Sequence, residues 1–154
     1  MTRHLAFTAI ELMVGVLVMA VLLAVALISP DSAEQTAKHE AERVQAYLYR
    51  VIQKADRLGL GFTLDTLPNT NGEGYCIQIQ WPGSMNYERT FKSWDGCSYS
   101  DNFKGTSNGE LVYNAMHKRF LTGGTITITA GKGTKYYVII ASTEGRIRIS
   151  DTAP

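Results

Sequence analysis

A chain of 154 residues has room for one domain of ordinary size, and one soluble domain is the expectation. Its composition is 45% hydrophobic with a net charge of +1. Much of the apolar content sits in the first thirty positions, which leaves a remainder with the composition of an ordinary soluble domain. Charge is uneven: residues 31–101 carry seven Lys/Arg against ten Asp/Glu, whereas residues 102–154 carry seven against three, so the C-terminal third is the basic part.

From Leu12 to Ile28 the sequence LMVGVLVMAVLLAVALI contains no charge. With Phe7–Glu11 included, it predicts a helix of about 33 Å, long enough to cross a bilayer. Arg3 and His4 precede it, so the N-terminus is expected on the cytoplasmic side and the bulk of the chain outside. Glu11 stands inside this apolar helix, where a carboxylate costs about 2.5–3.5 kcal/mol on insertion scales. Such a charge needs a compensating partner. A cut between Ala6 and Phe7 supplies one, the new α-amine on Phe7, in the same or a neighbouring subunit.

The run Ala6-Phe7-Thr8-Ala9-Ile10-Glu11-Leu12-Met13-Val14 resembles the cleavage and methylation motif of type IV prepilins, in which a small residue precedes Phe and Glu is fifth in the mature chain. The resemblance implies cutting between Ala6 and Phe7 by a prepilin peptidase/methyltransferase and N-methylation of Phe7. It also implies assembly in which Glu11 meets the N-terminus of another subunit. Ala6 stands where most prepilins have Gly. Pro30, slightly later than the family's helix-kinking proline, kinks or interrupts the helix at the membrane exit. An ordinary signal peptide or a plain signal anchor shares the basic start and apolar run. Neither accounts for Glu11, and Ser29-Pro30-Asp31 lacks a small-x-small cleavage site. The expected division is a leader at 1–6, a transmembrane and polymerisation helix at 7–30, and an exported globular domain at 31–154.

After Pro30, Asp31 or Ser32 can cap a new helix. Ala33, Ala37, Ala41, Val44, Leu48, Val51, Ile52, Ala55 and Leu58 then recur at three- and four-residue steps, which predicts an amphipathic helix over about 31–58. Glu34, Lys38, Glu40, Glu42, Arg43, Arg50 and Lys54 are expected on its solvated face. Gly59 and Gly61 end the helix. A β-rich region follows over about 61–150, with strands expected at Phe62–Leu64, Tyr75–Trp81, Glu88–Trp94, Leu111–Asn114, Thr125–Ala130, Tyr136–Ala141 and Arg146–Ile149. The fold class is therefore α+β, a long N-terminal helix packed on an antiparallel β-sheet. The pilin resemblance implies the same architecture. The segment from Tyr137 to Ile149 resembles the strand–Gly-Arg-x-Arg ending of GspH/FimT-type minor pilins and pseudopilins.

Cys76 and Cys97 are the two cysteines. In an exported domain a single disulfide is the natural reading, contributing roughly 3 kcal/mol, and two buried free thiols is the other. Arg146 and Arg148 lie two apart in an expected strand, so both side chains point to one face about 6.8 Å apart. Lys132 and Lys135 are expected to approach from the preceding hairpin, and Tyr136 or Tyr137 to add a stacking surface. That set suits phosphate-backbone contacts without sequence readout. Within the family the Gly-Arg-x-Arg motif is associated with DNA uptake. The other reading is that both arginines guard an edge strand against aggregation. His117-Lys118-Arg119 forms a further basic cluster, read as surface. The histidines and cysteines show no metal-ligand spacing, Gly131-Lys132-Gly133-Thr134 fails the phosphate-loop pattern, and no nucleophile–base pair stands out. No cofactor is implied and an enzyme is not expected. The resemblance implies a minor type IV pilin, a type II secretion pseudopilin of the GspH kind, or a DNA-binding pilin. Its partners would be other pilin or pseudopilin subunits, the inner membrane and, in the last case, DNA.

Overall fold

The computed structural model describes residues 9–27, 32–67, 75–83, 88–93, 96–103, 109–131, 133–142 and 145–154; within these, side chains at 9, 25–27, 32, 75–76 and 88–90 stand outside the description. The expectations for Ala6, Phe7, Pro30, Asp31 and Lys132 lie outside the described residues. The chain divides into two compact units, Met1–Ser32 and Ala33–Pro154.

The first unit holds helix α1, Ala9–Leu27. Its large side chains are exposed all round, Ile10 and Met13 at 74% and Leu17 at 66%. A helix without a polar face has its apolar surface left to cover by lipid or by other protein. The 19 residues of α1 span about 28 Å, and among the described residues no helix is long and apolar enough to cross a membrane. Positions 7, 8 and 28 of the expected span lie outside the description.

The second unit is built on helix α2, Ser32–Leu58. The three- and four-residue spacing puts Ala37, Ala41, Val44, Leu48, Val51 and Ala55 on one buried stripe. Three of the expected stripe residues depart from it: Ala33 and Ile52 are half-buried, and Leu58 is exposed because the helix stops there. Gly59 takes φ +65° and the Leu60 N–H donates to the Ala55 carbonyl at 3.1 Å, a left-handed cap that satisfies the last turn. At Gly61 the chain passes so close to its neighbour that an added Cβ would sit 2.5 Å from the Tyr113 carbonyl oxygen.

Nine strands follow, in two antiparallel sheets rather than one. The first sheet contains β1 (Phe62–Thr66), β2 (Tyr75–Gln80), β3 (Glu88–Lys92), β5 (Leu111–Asn114) and β6 (Arg119–Phe120), in the order β3-β2-β1-β5-β6. The second contains β4 (Cys97–Asp101), β7 (Gly124–Ala130), β8 (Thr134–Ile140) and β9 (Ile147–Ser150), in the order β4-β7-β8-β9. Each strand expected from the sequence is present with ends moved by at most two residues, and β4 and β6 are additional. Strand β4 alternates Cys97 and Tyr99, buried, with Ser98 and Ser100, exposed.

The inner faces of both sheets meet α2 in one core. Leu64, Ile77, Ile79, Leu111 and Phe120 contribute from the first sheet, and Ile126, Ile128, Val138 and Ile140 from the second. Phe62 stacks on Tyr113 at 5.1 Å between ring centroids, and Phe120 meets Tyr113 edge-on at the same distance. The Tyr113 phenol donates to Asp56 Oδ1 at 2.8 Å.

Glu40 corrects the reading of α2's solvated face: it is fully buried. Tyr99 Oη donates to one of its carboxylate oxygens and the Arg43 guanidinium to the other. Arg43 also lies 5.3 Å from the centroid of the Phe91 ring and donates to the Lys92 carbonyl at 3.3 Å. A buried carboxylate is tolerated where its oxygens are bonded and its charge is met, and this one has both.

Leu48 is completely buried in the stripe shared by the two sheets. Leu48→Ala is expected to lower the unfolding free energy by about 2–5 kcal/mol. Lys38→Ala, on the exposed side of the same helix, should change it by less than about 0.5 kcal/mol. Urea unfolding followed by circular dichroism measures both.

Candidate functional site

Two regions carry the residues singled out in the sequence. The first is the start of α1. Glu11 lies in its first turn, where the helix N-terminus favours a negative charge. It is exposed and flanked by Ile10, Leu12, Met13 and Val14, all of them also exposed. One turn along the same side is Gly15, where an added Cβ would meet nothing within 4 Å. The wall of large apolar side chains is therefore notched beside the carboxylate. Of the three residues expected in processing and assembly, Glu11 is the one the structure describes; Ala6 and Phe7 precede the described residues.

The second region is the outer face of the β4-β7-β8-β9 sheet. Ile147 is buried, and alternation puts Arg146 and Arg148 together on the opposite, exposed side. Arg146 lies just before β9 rather than within it, yet the ladder reaches it: the Ala141 N–H donates to the Arg146 carbonyl at 2.9 Å. Arg148 pairs with Ile139 and Ser150 with Tyr137 across β8 and β9, while Tyr137 pairs with Thr127 and Lys135 with Thr129 across β7 and β8. Ser98 and Ser100 extend the face onto β4. Thus Arg146, Arg148, Lys135 and Tyr137 share a surface whose other members are mostly hydroxyls, with no carboxylate among the described residues.

The structure corrects two details of the expected arrangement. Lys135 sits at the hairpin end of β8, four residues from the position paired with Arg148, so the two cations are about 14 Å apart along the sheet. They suit successive groups of an extended polyanion and not one shared anion. Of the two tyrosines, Tyr137 faces outward. Tyr136 turns toward α2, its phenol donating to Glu34 Oε1 at 3.4 Å, with burial the main cause and the Glu34 carboxylate the second of its raised pKa.

The basic run His117-Lys118-Arg119 belongs to the same neighbourhood, which its sequence position conceals. It forms the turn between β5 and β6 and the start of β6, and an added Cβ at Gly145 would lie 3.1 Å from the Lys118 carbonyl oxygen. Backbone from the turn therefore touches the residue preceding Arg146. No local spacing signals this contact between positions 118 and 145.

Cys97 is a buried free thiol on β4; burial first, then the Glu40 carboxylate, push its pKa up, with Arg43 opposing. The side chain of Cys76, and with it the expected pairing, lies outside the described residues. Among the described residues no three His, Cys, Asp or Glu side chains gather as metal ligands. A cleft of about 290 Å³ beside Trp81 is lined by Gly61, Thr63, Gln80, Pro82, Val112 and Tyr113 among others, with no His, Cys, Asp, Glu, Lys or Arg among its described lining.

No protein-family model matches the chain, and no curated protein matches it in sequence. Its fold is similar to that of the type IV minor pilin FimU from Pseudomonas aeruginosa, strain PAO1, in two crystal forms. In space group P65 the TM-score is 0.51 at 17% identity, covering 73% of this chain and 91% of that one. In space group P21 the TM-score is 0.54 at 16% identity, covering 79% and 92%. The architecture of this chain, a helix against antiparallel sheet, is a type IV pilin-like α+β fold.

Proposed function

We propose that this chain is a minor type IV pilin, a structural subunit that joins a pilus through its N-terminal helix. The observation that carries the reading is α1, apolar on every side and bearing one carboxylate, Glu11, in its first turn. Exposed apolar surface of that extent needs a lipid or protein environment. In either setting Glu11 needs a cation, and cleavage after Ala6 creates one at Phe7. Before assembly the helix at 7–30 holds the subunit in the inner membrane with residues 31–154 exported. After cleavage and methylation by the prepilin peptidase/methyltransferase, Glu11 of one subunit neutralises the Phe7 amine of the next. The fold's likeness to a minor pilin supports a pilin-like subunit, and a type II secretion pseudopilin of the GspH kind is the alternative.

A second reading is favoured by the outer face of the β4-β7-β8-β9 sheet. A surface of hydroxyls, one outward-facing, half-buried tyrosine and separated cations, without a described carboxylate, suits the backbone of duplex DNA. Arg146 and Arg148 lead that contact, with Lys135 and, by its place in the hairpin sequence, Lys132 further along. A pilin of this kind serves DNA uptake.

Mass spectrometry of protein recovered from membranes or sheared filaments is expected to find a methylated Phe7 at the N-terminus. An intact Met1, or a cut near residues 29–32, would refute the reading. Glu11→Ala should insert into membranes at normal levels yet be depleted from sheared filaments at least several-fold; normal incorporation counts against the charge pairing. For the second reading, the double change Arg146→Ala, Arg148→Ala should weaken duplex binding and lower the slope of log affinity against log salt by up to about 2. Fluorescence anisotropy over a salt series measures this, and an unchanged slope removes the arginines from the interface.

A further inference from the structure

The turn joining β5 to β6 is held by two bonds: the Lys118 N–H donates to the Ala115 carbonyl at 3.4 Å, and the His117 N–H to Asn114 Oδ1 at 3.2 Å. It closes with Lys118 at φ +49°, the single non-glycine residue with positive φ among those described. Hairpin turns of this kind favour glycine at the left-handed position, because a Cβ there is strained. A long cationic side chain retained in a strained turn points to a use for that side chain.

Its surroundings indicate the use. Met116, beside it, is 88% exposed, the highest value of any described large apolar residue. His117, Lys118 and Arg119 are exposed as well. From Leu111 to Thr143 the sequence contains no Asp or Glu, so the turn and the two strands β7 and β8 form an acid-free stretch. The close approach of Gly145 to the Lys118 carbonyl then joins this stretch to Arg146.

We propose that the β5–β6 turn is the second half of a duplex-DNA-binding surface, with Lys118 and Arg119 contacting phosphates and Met116 entering the minor groove as an apolar wedge. The proposal rests on the DNA-binding reading of the β4-β7-β8-β9 sheet and extends it to residues in the other sheet. Cations at the turn and on β9 reach different stretches of backbone, which fixes the orientation of the duplex. The protruding methionine of the turn has the chemistry to enter the minor groove and contact base steps.

The test uses the full chain in non-ionic detergent with a fluorescent duplex, titrated over a salt series. Lys118→Gly relieves the turn, so its Tm should rise by about 3 °C while duplex affinity falls about fivefold and the salt slope drops by about 1. A residue with a merely structural role cannot lose affinity as stability rises. Met116→Ser should weaken binding about threefold with the salt slope unaltered, because no phosphate contact is removed. If both variants bind as the parent does while Arg146→Ala, Arg148→Ala loses affinity, the turn proposal is overturned and the sheet reading stands. If the parent chain shows no salt-sensitive duplex binding, both are overturned.

Discussion

One apolar stripe on α2 has to serve two sheets at once. Ala37 and Ala41 keep the helix slim toward its start, Val44, Leu48 and Val51 fill its middle, and Ala55 closes the stripe. The buried apolar residues of both sheets belong to the same cluster as these six. The helix is therefore stabilised by what packs on it far more than by its own propensity. The sheets, in turn, are related to each other through it. Such a shared seam has low tolerance for volume changes, since relaxing toward one sheet opens space beneath the other.

Glu40 shows how far the constraint reaches. A carboxylate on the flank of the stripe is drawn wholly into the core, and Tyr99 from β4 and Arg43 from the next turn of α2 satisfy its two oxygens. Arg43 is itself seated over Phe91 of β3, so one small polar network ties the helix to a strand of each sheet. Removing either donor alone leaves a buried charge short of a partner, which is costlier than the network's net contribution to stability.

Much of this was open to a reading of the sequence. The period of α2, the glycine stop at Gly59 and the alternation of Thr125–Ala130 are local signals, and the structure follows them. Glu40 was hidden because a charged residue at a helical flank looks the same whether or not a distant tyrosine waits for it. Strand β4 was hidden because its outer face is serine and its inner one a cysteine and a tyrosine, a pattern with little apolar contrast. The division into two sheets depends on which strands pair across long loops, which no short-range pattern encodes. At the candidate sites, the charge of Glu11 within an apolar run and the shared face of Arg146 and Arg148 are visible in the sequence, while the roles proposed for them come from the family resemblance. The approach of the His117–Arg119 turn to Gly145 is not visible there, because it joins segments of different sheets.

The end of β9 bears on how the second sheet is closed at its edge. Since the Arg146 carbonyl faces β8, that of Ile147 faces the open side of the sheet. Gln45 Nε2 and Tyr49 Oη of α2 donate to it at 2.8 and 3.2 Å. A backbone acceptor that would otherwise invite a foreign strand is already occupied by the unit's own helix, and Arg148 charges the position that follows. Addition of a strand at this edge is disfavoured from within the fold, by a helix that serves the core on one side and seals the sheet's margin on another.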